Sequence, residues 1–187
     1  MDTQTTLIAL ILAVSAAALA VTARVYLGTR RRDRLKERFG PEYDHAVAEQ
    51  GSPRRAEARL EERERRVERL SLRPVPPDLL DRFARSWRNV QARFVDEPGA
   101  AVLEADGLVR KMMASRGYPM ASFEQREADL SVDHPTVVAS YRAAHEVALK
   151  RERGEASTEE LRRAFLHYRE LFDELLEAPE LVETGRV

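Results

Sequence analysis

The chain has no cysteine among its 187 residues, which excludes structural disulfides, thiolate metal sites, iron–sulfur clusters and a cysteine nucleophile. It is also poor in lysine, glycine and aromatic residues. Three lysines stand against 28 arginines, there are 8 glycines, and Phe, Trp and Tyr together make up 6% of the residues. No Gly-rich phosphate loop, His-Glu-x-x-His helix, Gly-x-Ser-x-Gly turn or dinucleotide fingerprint occurs, so the common nucleotide, metalloprotease and hydrolase chemistries have no sequence support. Alternating polar and apolar runs of useful length are missing as well. That absence argues against strands and for an all-α fold. No cofactor and no enzymatic activity are expected from these features.

What the chain does have is one long stretch without charge. Residues 3–23 are built from Leu, Ile, Val, Ala, Ser, Thr and one Gln. A hydrocarbon core of about 30 Å needs about 20 helical residues to cross it, so this stretch predicts a transmembrane helix. A cleaved signal peptide would need a basic leader and a shorter apolar core. Neither is present, although Val21-Thr22-Ala23 resembles a cleavage site. Arg24, Arg30, Arg31, Arg32, Arg34, Lys36 and Arg38 all follow the stretch, and no Lys or Arg precedes it. Basic residues next to a span stay in the cytoplasm. The expectation is an external amino terminus, a cytoplasmic remainder, and contact with the bilayer through residues 5–27.

Three regions are therefore expected: residues 1–27 as tail and transmembrane helix, 28–73 as a charged juxtamembrane spacer, and 74–187 as a helical bundle domain. Charge divides along the same line, with residues 24–73 at +5 and residues 74–187 at −5. Within the spacer, Gly40-Pro41 and Gly51-Ser52-Pro53 interrupt the chain, and Ser52 and Pro53 suit a helix N-terminus. The helix that follows is rich in Arg and Glu, with only a thin seam at Ala56, Leu60, Val67 and Leu70. Arg63 breaks that seam, and it is too short for a coiled coil. A solvated spacer helix is the expectation.

Arg73-Pro74-Val75-Pro76-Pro77 stops helix formation. Beyond it, four segments repeat apolar residues at helical spacing, which predicts a small four-helix bundle. The first carries Leu79, Phe83, Trp87, Val90 and Phe94, with Asp78 placed to cap it. The second carries Val102, Leu108, Val109, Met112 and Met113, the third Val138, Tyr141 and Ala148, and the fourth Phe165, Tyr168, Leu171, Phe172 and Leu175. Ser157 and Glu160 fit a capping box before the fourth. Met112 and Met113 beside Trp87 suit core filling better than a ligand groove.

Between the second and third segments lies a joint of about 17 residues, and long joints are often functional. Tyr118, Asp129, Asp133 and His134 are the candidate residues there. Asp133 is also placed to cap the next helix, with Pro135 in its first turn. A metal-dependent enzyme using the 129–134 stretch is the alternative reading, as is a small-ligand sensor around Trp87. His145 and His167 could meet across the bundle. Two basic stretches, Arg30 to Arg38 and Arg54 to Arg73, could suggest nucleic acid. The first lies beside the lipid phosphates and the second is interleaved with glutamates, so no nucleic-acid role is expected. The excess of arginine is spread along the whole chain, as a genome-wide codon bias would leave it.

The segments Arg93-Phe94-Val95-Asp96-Glu97-Pro98, Arg116-Gly117-Tyr118-Pro119, Ala128-Asp129-Leu130-Ser131-Val132-Asp133-His134-Pro135 and His167-Tyr168-Arg169-Glu170-Leu171-Phe172 lie behind the span and Arg38-Phe39-Gly40-Pro41-Glu42-Tyr43-Asp44. In this combination the chain resembles a group of uncharacterised bacterial single-pass membrane proteins. The resemblance implies bacterial origin and the same layout, and carries no activity or site; together with the span, the expected location is the bacterial inner (plasma) membrane. The overall expectation is a membrane-tethered adaptor or scaffold whose bundle engages a protein partner, with self-association possible and with the acidic bundle able to latch onto its own basic spacer.

Overall fold

The computed structural model describes residues 3–177, and all the regular structure among them is helical. The tail residues 1–2 and the last part of the expected bundle domain, 178–187, lie outside the described residues. α1 (Thr3–Phe39) is one unbroken helix of 37 residues, about 55 Å long at 1.5 Å per residue. It is long and apolar enough to cross a membrane. From Leu10 through Arg30 every residue is exposed to its surroundings. Then the same helix enters the fold, burying Leu35 and Phe39 completely.

This continuity corrects the expectation of a separate solvated spacer. Gly40, at φ 48°, turns the chain sharply into α2 (Pro41–Gln50), and Gly51, at φ 68°, turns it again into α3 (Pro53–Val67). Ser52 caps α3 as expected, its hydroxyl accepting from the Arg55 amide at 3.4 Å. α3 is not solvated. Ala56, Leu60, Glu64 and Val67 are buried, and the three apolar ones form a small core of their own with Leu35, Phe39, Tyr43, Ala46 and Val132. The thin apolar seam is the inner face of a packed helix, too narrow for a stand-alone helix but enough for one wedged between neighbours.

The four expected bundle segments are α4 (Pro77–Arg93), α5 (Pro98–Arg116), α7 (Val138–Glu152) and α8 (Thr158–Glu177). They share a second, larger core in which Trp87 stacks on Phe165 and Phe172, with ring centroids 5.2 and 4.7 Å apart. Met112 and Met113 are fully buried in it. Ser157 and Glu160 form the reciprocal capping contacts of α8, at 2.9 and 3.3 Å. Asp78 does not cap α4; it lies in the first turn, where its charge suits the helix dipole, and Pro76 holds the cap position.

The joint between α5 and α7 is mostly helix. α6 (Phe123–Asp133) starts at a Ser122 cap and buries Ala128, Asp129, Leu130, Ser131 and Val132 in succession. Leu130 faces the large core and Val132 the small one. A helix buried on two sides has no single apolar stripe, which is why its sequence reads as a loop. Asp133 is the last residue of α6 and caps nothing; α7 begins at Val138 without a side-chain cap.

Candidate functional site

α6 is where the smaller core and the bundle meet, and three of the four candidate residues lie on it or at its end. The fourth, Tyr118, follows Gly117, whose φ of 97° and close packing on the chain before α4 leave no room for a side chain. A Cβ there would lie 2.7 Å from the Ser71 carbonyl oxygen. Arg73 ties the same crossing, its amide donating to the Arg116 carbonyl at 2.9 Å. Tyr118 is thereby held inside, and its hydroxyl donates to Asp133 at 3.2 Å. Burial first, and the Asp133 carboxylate next, push the phenol pKa well above its ordinary value.

Asp133 continues outward to Arg38 at 3.9 Å, and from there a ladder of opposite charges runs along α1 and α3. Arg38 and Arg34 reach Glu64 at 3.3 and 3.0 Å, Arg34 also reaches Glu61 at 3.8 Å, and Arg31 grips Glu61 with both nitrogens, at 2.5 and 2.7 Å. The juxtamembrane arginines expected to face lipid are thus divided. Arg31, Arg34 and Arg38 face α3, while Arg24 and Arg30 stay on the exposed part of α1.

A second network lies deeper. Asp129 accepts from Arg66 at 2.8 Å and from Gln125 at 3.3 Å, but its Oδ2 is buried without a partner among the described residues. Burial raises its pKa against the lowering effect of Arg66. Arg63 donates to Glu42 at 2.8 Å and to the Ser131 hydroxyl at 3.1 Å. Arg142 of α7 completes it, bridging Glu42 and Glu127. Glu42 is 1% exposed at its side chain, so its charge is compensated almost wholly by these two guanidiniums.

The candidates do not converge on one point. Asp129 turns to α3, Asp133 to α1 and Tyr118, and His134 to Glu174 of α8, its Nδ1 at 2.9 Å and its Nε2 buried without a partner among the described residues. Among the described residues no three His, Asp or Glu side chains gather as a metal site. His145 stacks flat on Phe123 at 3.7 Å, and His167 lies 3.9 Å from Glu170 on its own helix. The cleft bounded by Arg38, Glu64, Val67, Leu72, Val132 and Asp133 holds about 230 Å³, below the range of small-molecule pockets. Chemically, the arrangement is a connector: it neutralises charges in pairs and fixes the register of α1, α2 and α3 against α6 and α7.

Glu42, Glu61, Glu64, Arg63 and Arg142 carry that connection, and sequence reading passed over all five. One signal was available. Arg63 interrupts an apolar seam, and a charge on a buried face implies a buried counter-charge. Compared with protein-family models, with curated proteins and with solved structures, the chain matches none.

Proposed function

We propose that this protein is a membrane-tethered interaction module: α1 crosses the inner (plasma) membrane of a bacterium, amino terminus outside, and presents the bundle to a protein partner in the cytoplasm. One observation carries the reading. The helix that is apolar enough to span ends inside the fold, with Leu35 and Phe39 in a core shared with α2, α3 and α6. An anchor of that kind sets the bundle at a fixed height over the lipid. A flexible tether would let it wander. The all-basic flank on the C-terminal side of the span supports the cytoplasmic assignment.

The bundle surface carries separate large apolar side chains that a partner could cover, namely Val95, Met120, Leu149 and Leu166, exposed between 41 and 83%. The test places a photo-crosslinking amino acid at each of these in the full chain in its own membrane. Discrete adducts with another protein support the reading. Four positions that yield only lipid or intramolecular adducts sink it. Protease added from the cytoplasmic face should cut the 153–157 turn, and protection there would reverse the orientation.

A further inference from the structure

We propose that the turn between α2 and α3 rests in the lipid headgroup layer and, with the start of the cytoplasmic part of α1, forms a basic collar that selects anionic phospholipids around the anchor. The inference rests on the reading that α1 spans the bilayer.

The position follows from the register of the helices. Arg31 meets Glu61 and Arg34 meets Glu64, in the same order along both helices, so α1 and α3 run in the same direction. α2 runs back between them, with Tyr43 against Lys36. The α2–α3 turn is therefore at the membrane end of this hairpin. Pairs with Arg34 and Arg38 put the offset between the two helices at about 26 to 30 residues. Arg54 and Arg55 then lie level with residues 24 to 29 of α1. At 1.5 Å per residue this is within about 9 Å of Ala23, where the charge-free stretch ends. The headgroup layer on each side of a bilayer is about 5 to 8 Å deep. Packed helices stand 8 to 10 Å apart, which puts the turn over the first ring of lipids.

The charges at that level are free to act. Arg24, Arg30, Arg54 and Arg55 are all exposed, and none pairs with a carboxylate among the described residues, whereas Arg31, Arg34 and Arg38 do. Arg30 leans on the Tyr26 ring at 4.7 Å, an aromatic residue at the depth where such rings favour the interface. Two carboxylates stand near the turn, Glu49 and Glu57, and Glu57 is engaged by the Tyr43 hydroxyl at 3.0 Å. The turn itself is stiff. Gly51 donates to the Val47 carbonyl at 3.0 Å, Ser52 caps α3, and Pro53 fixes its first residue. Guanidiniums held at phosphate depth recognise an anionic headgroup, and each basic residue near such a surface favours it roughly fivefold.

The absence of cysteine makes single-site labelling of the full chain clean. Gln50→Cys, Glu68→Cys and Val14→Cys, each carrying a bimane fluorophore, are placed in nanodiscs of phosphatidylcholine and phosphatidylglycerol in which one lipid or the other bears a shallow acyl-chain nitroxide. Val14 should be quenched, which confirms the span; if it is not, the membrane reading itself fails. Gln50 should be quenched and Glu68, at the far end of α3, should not. Quenching at Gln50 should be at least about fivefold more efficient from labelled phosphatidylglycerol than from labelled phosphatidylcholine. Arg54→Gln with Arg55→Gln, or high salt, should bring that ratio close to one. A quenched Val14 with an unquenched Gln50 overturns the collar, and so does a Gln50 that responds equally to both lipids.

Discussion

The two cores of this molecule are held in different ways. The bundle is closed by apolar bulk: Trp87 between Phe165 and Phe172, two buried methionines, and a column of buried residues along α5 and α8. The α2–α3 hairpin has a core of a few side chains and is bound to α1, α6 and α7 by paired charges. Apolar burial is non-directional and tolerates small shifts. Bidentate guanidinium–carboxylate pairs fix an angle and a register. This chain spends its bulk on cohesion and its charges on alignment between α1 and the bundle.

The comparison can be broken most forcefully in the bundle. Phe172→Ala removes one side of the Trp87 stack and should cost about 4 kcal/mol, read from the Trp87 fluorescence of the detergent-solubilised chain in denaturant. A loss below about 1 kcal/mol would mean that the ring stack does not hold the bundle. Next comes Glu42→Ala, which leaves Arg63 without a carboxylate and Arg142 with Glu127 alone, and should cost about 3 kcal/mol. Hydrogen exchange should show α2 and α3 opening while α5 and α8 keep their protection. Equal loss in both regions would show that the two cores unfold as one unit. Pairing Glu42→Ala with Arg63→Met should restore part of the loss, since a missing charge pair is cheaper than a broken one.

The smallest effect sharpens the contrast through pH. His145 is half-buried against Phe123, and burial pushes its pKa below the ordinary imidazole value. The folded state therefore holds fewer protons than the unfolded state. Its contribution to stability is complete above about pH 6.5 and declines as pH falls from there through the lower folded value. His145→Gln should flatten that decline, seen as a smaller drop in thermal midpoint on acidification than in the unaltered protein. An unchanged drop would assign the acid sensitivity to other groups.

Much of this architecture is legible in the sequence because its signals are local. The charge-free stretch, the Pro74 to Pro77 break, the Ser52 cap, the Ser157 and Glu160 box and the stripes of α4 and α8 depend on spacing alone. α6 was hidden because burial on two sides erases the periodicity that marks a helix. The α1 and α3 ladder was hidden for a related reason: arginines and glutamates thirty positions apart are indistinguishable, before folding, from solvated ones. Asp129 and Asp133 were conspicuous as chemistry and turned out to be the bundle's two handholds on the arginines of α3 and α1.

An α-helix without a break transmits angle as well as height. Each residue advances 1.5 Å and turns about 100°, so α1 works as a graduated screw between its charge-free stretch and the bundle. One residue inserted between Ala23 and Arg30 would hardly lift the bundle, but it would swing it about a quarter-turn around the axis of α1. The length of chain between Ala23, where the charge-free stretch ends, and Arg31 is thus a compass setting written into the chain.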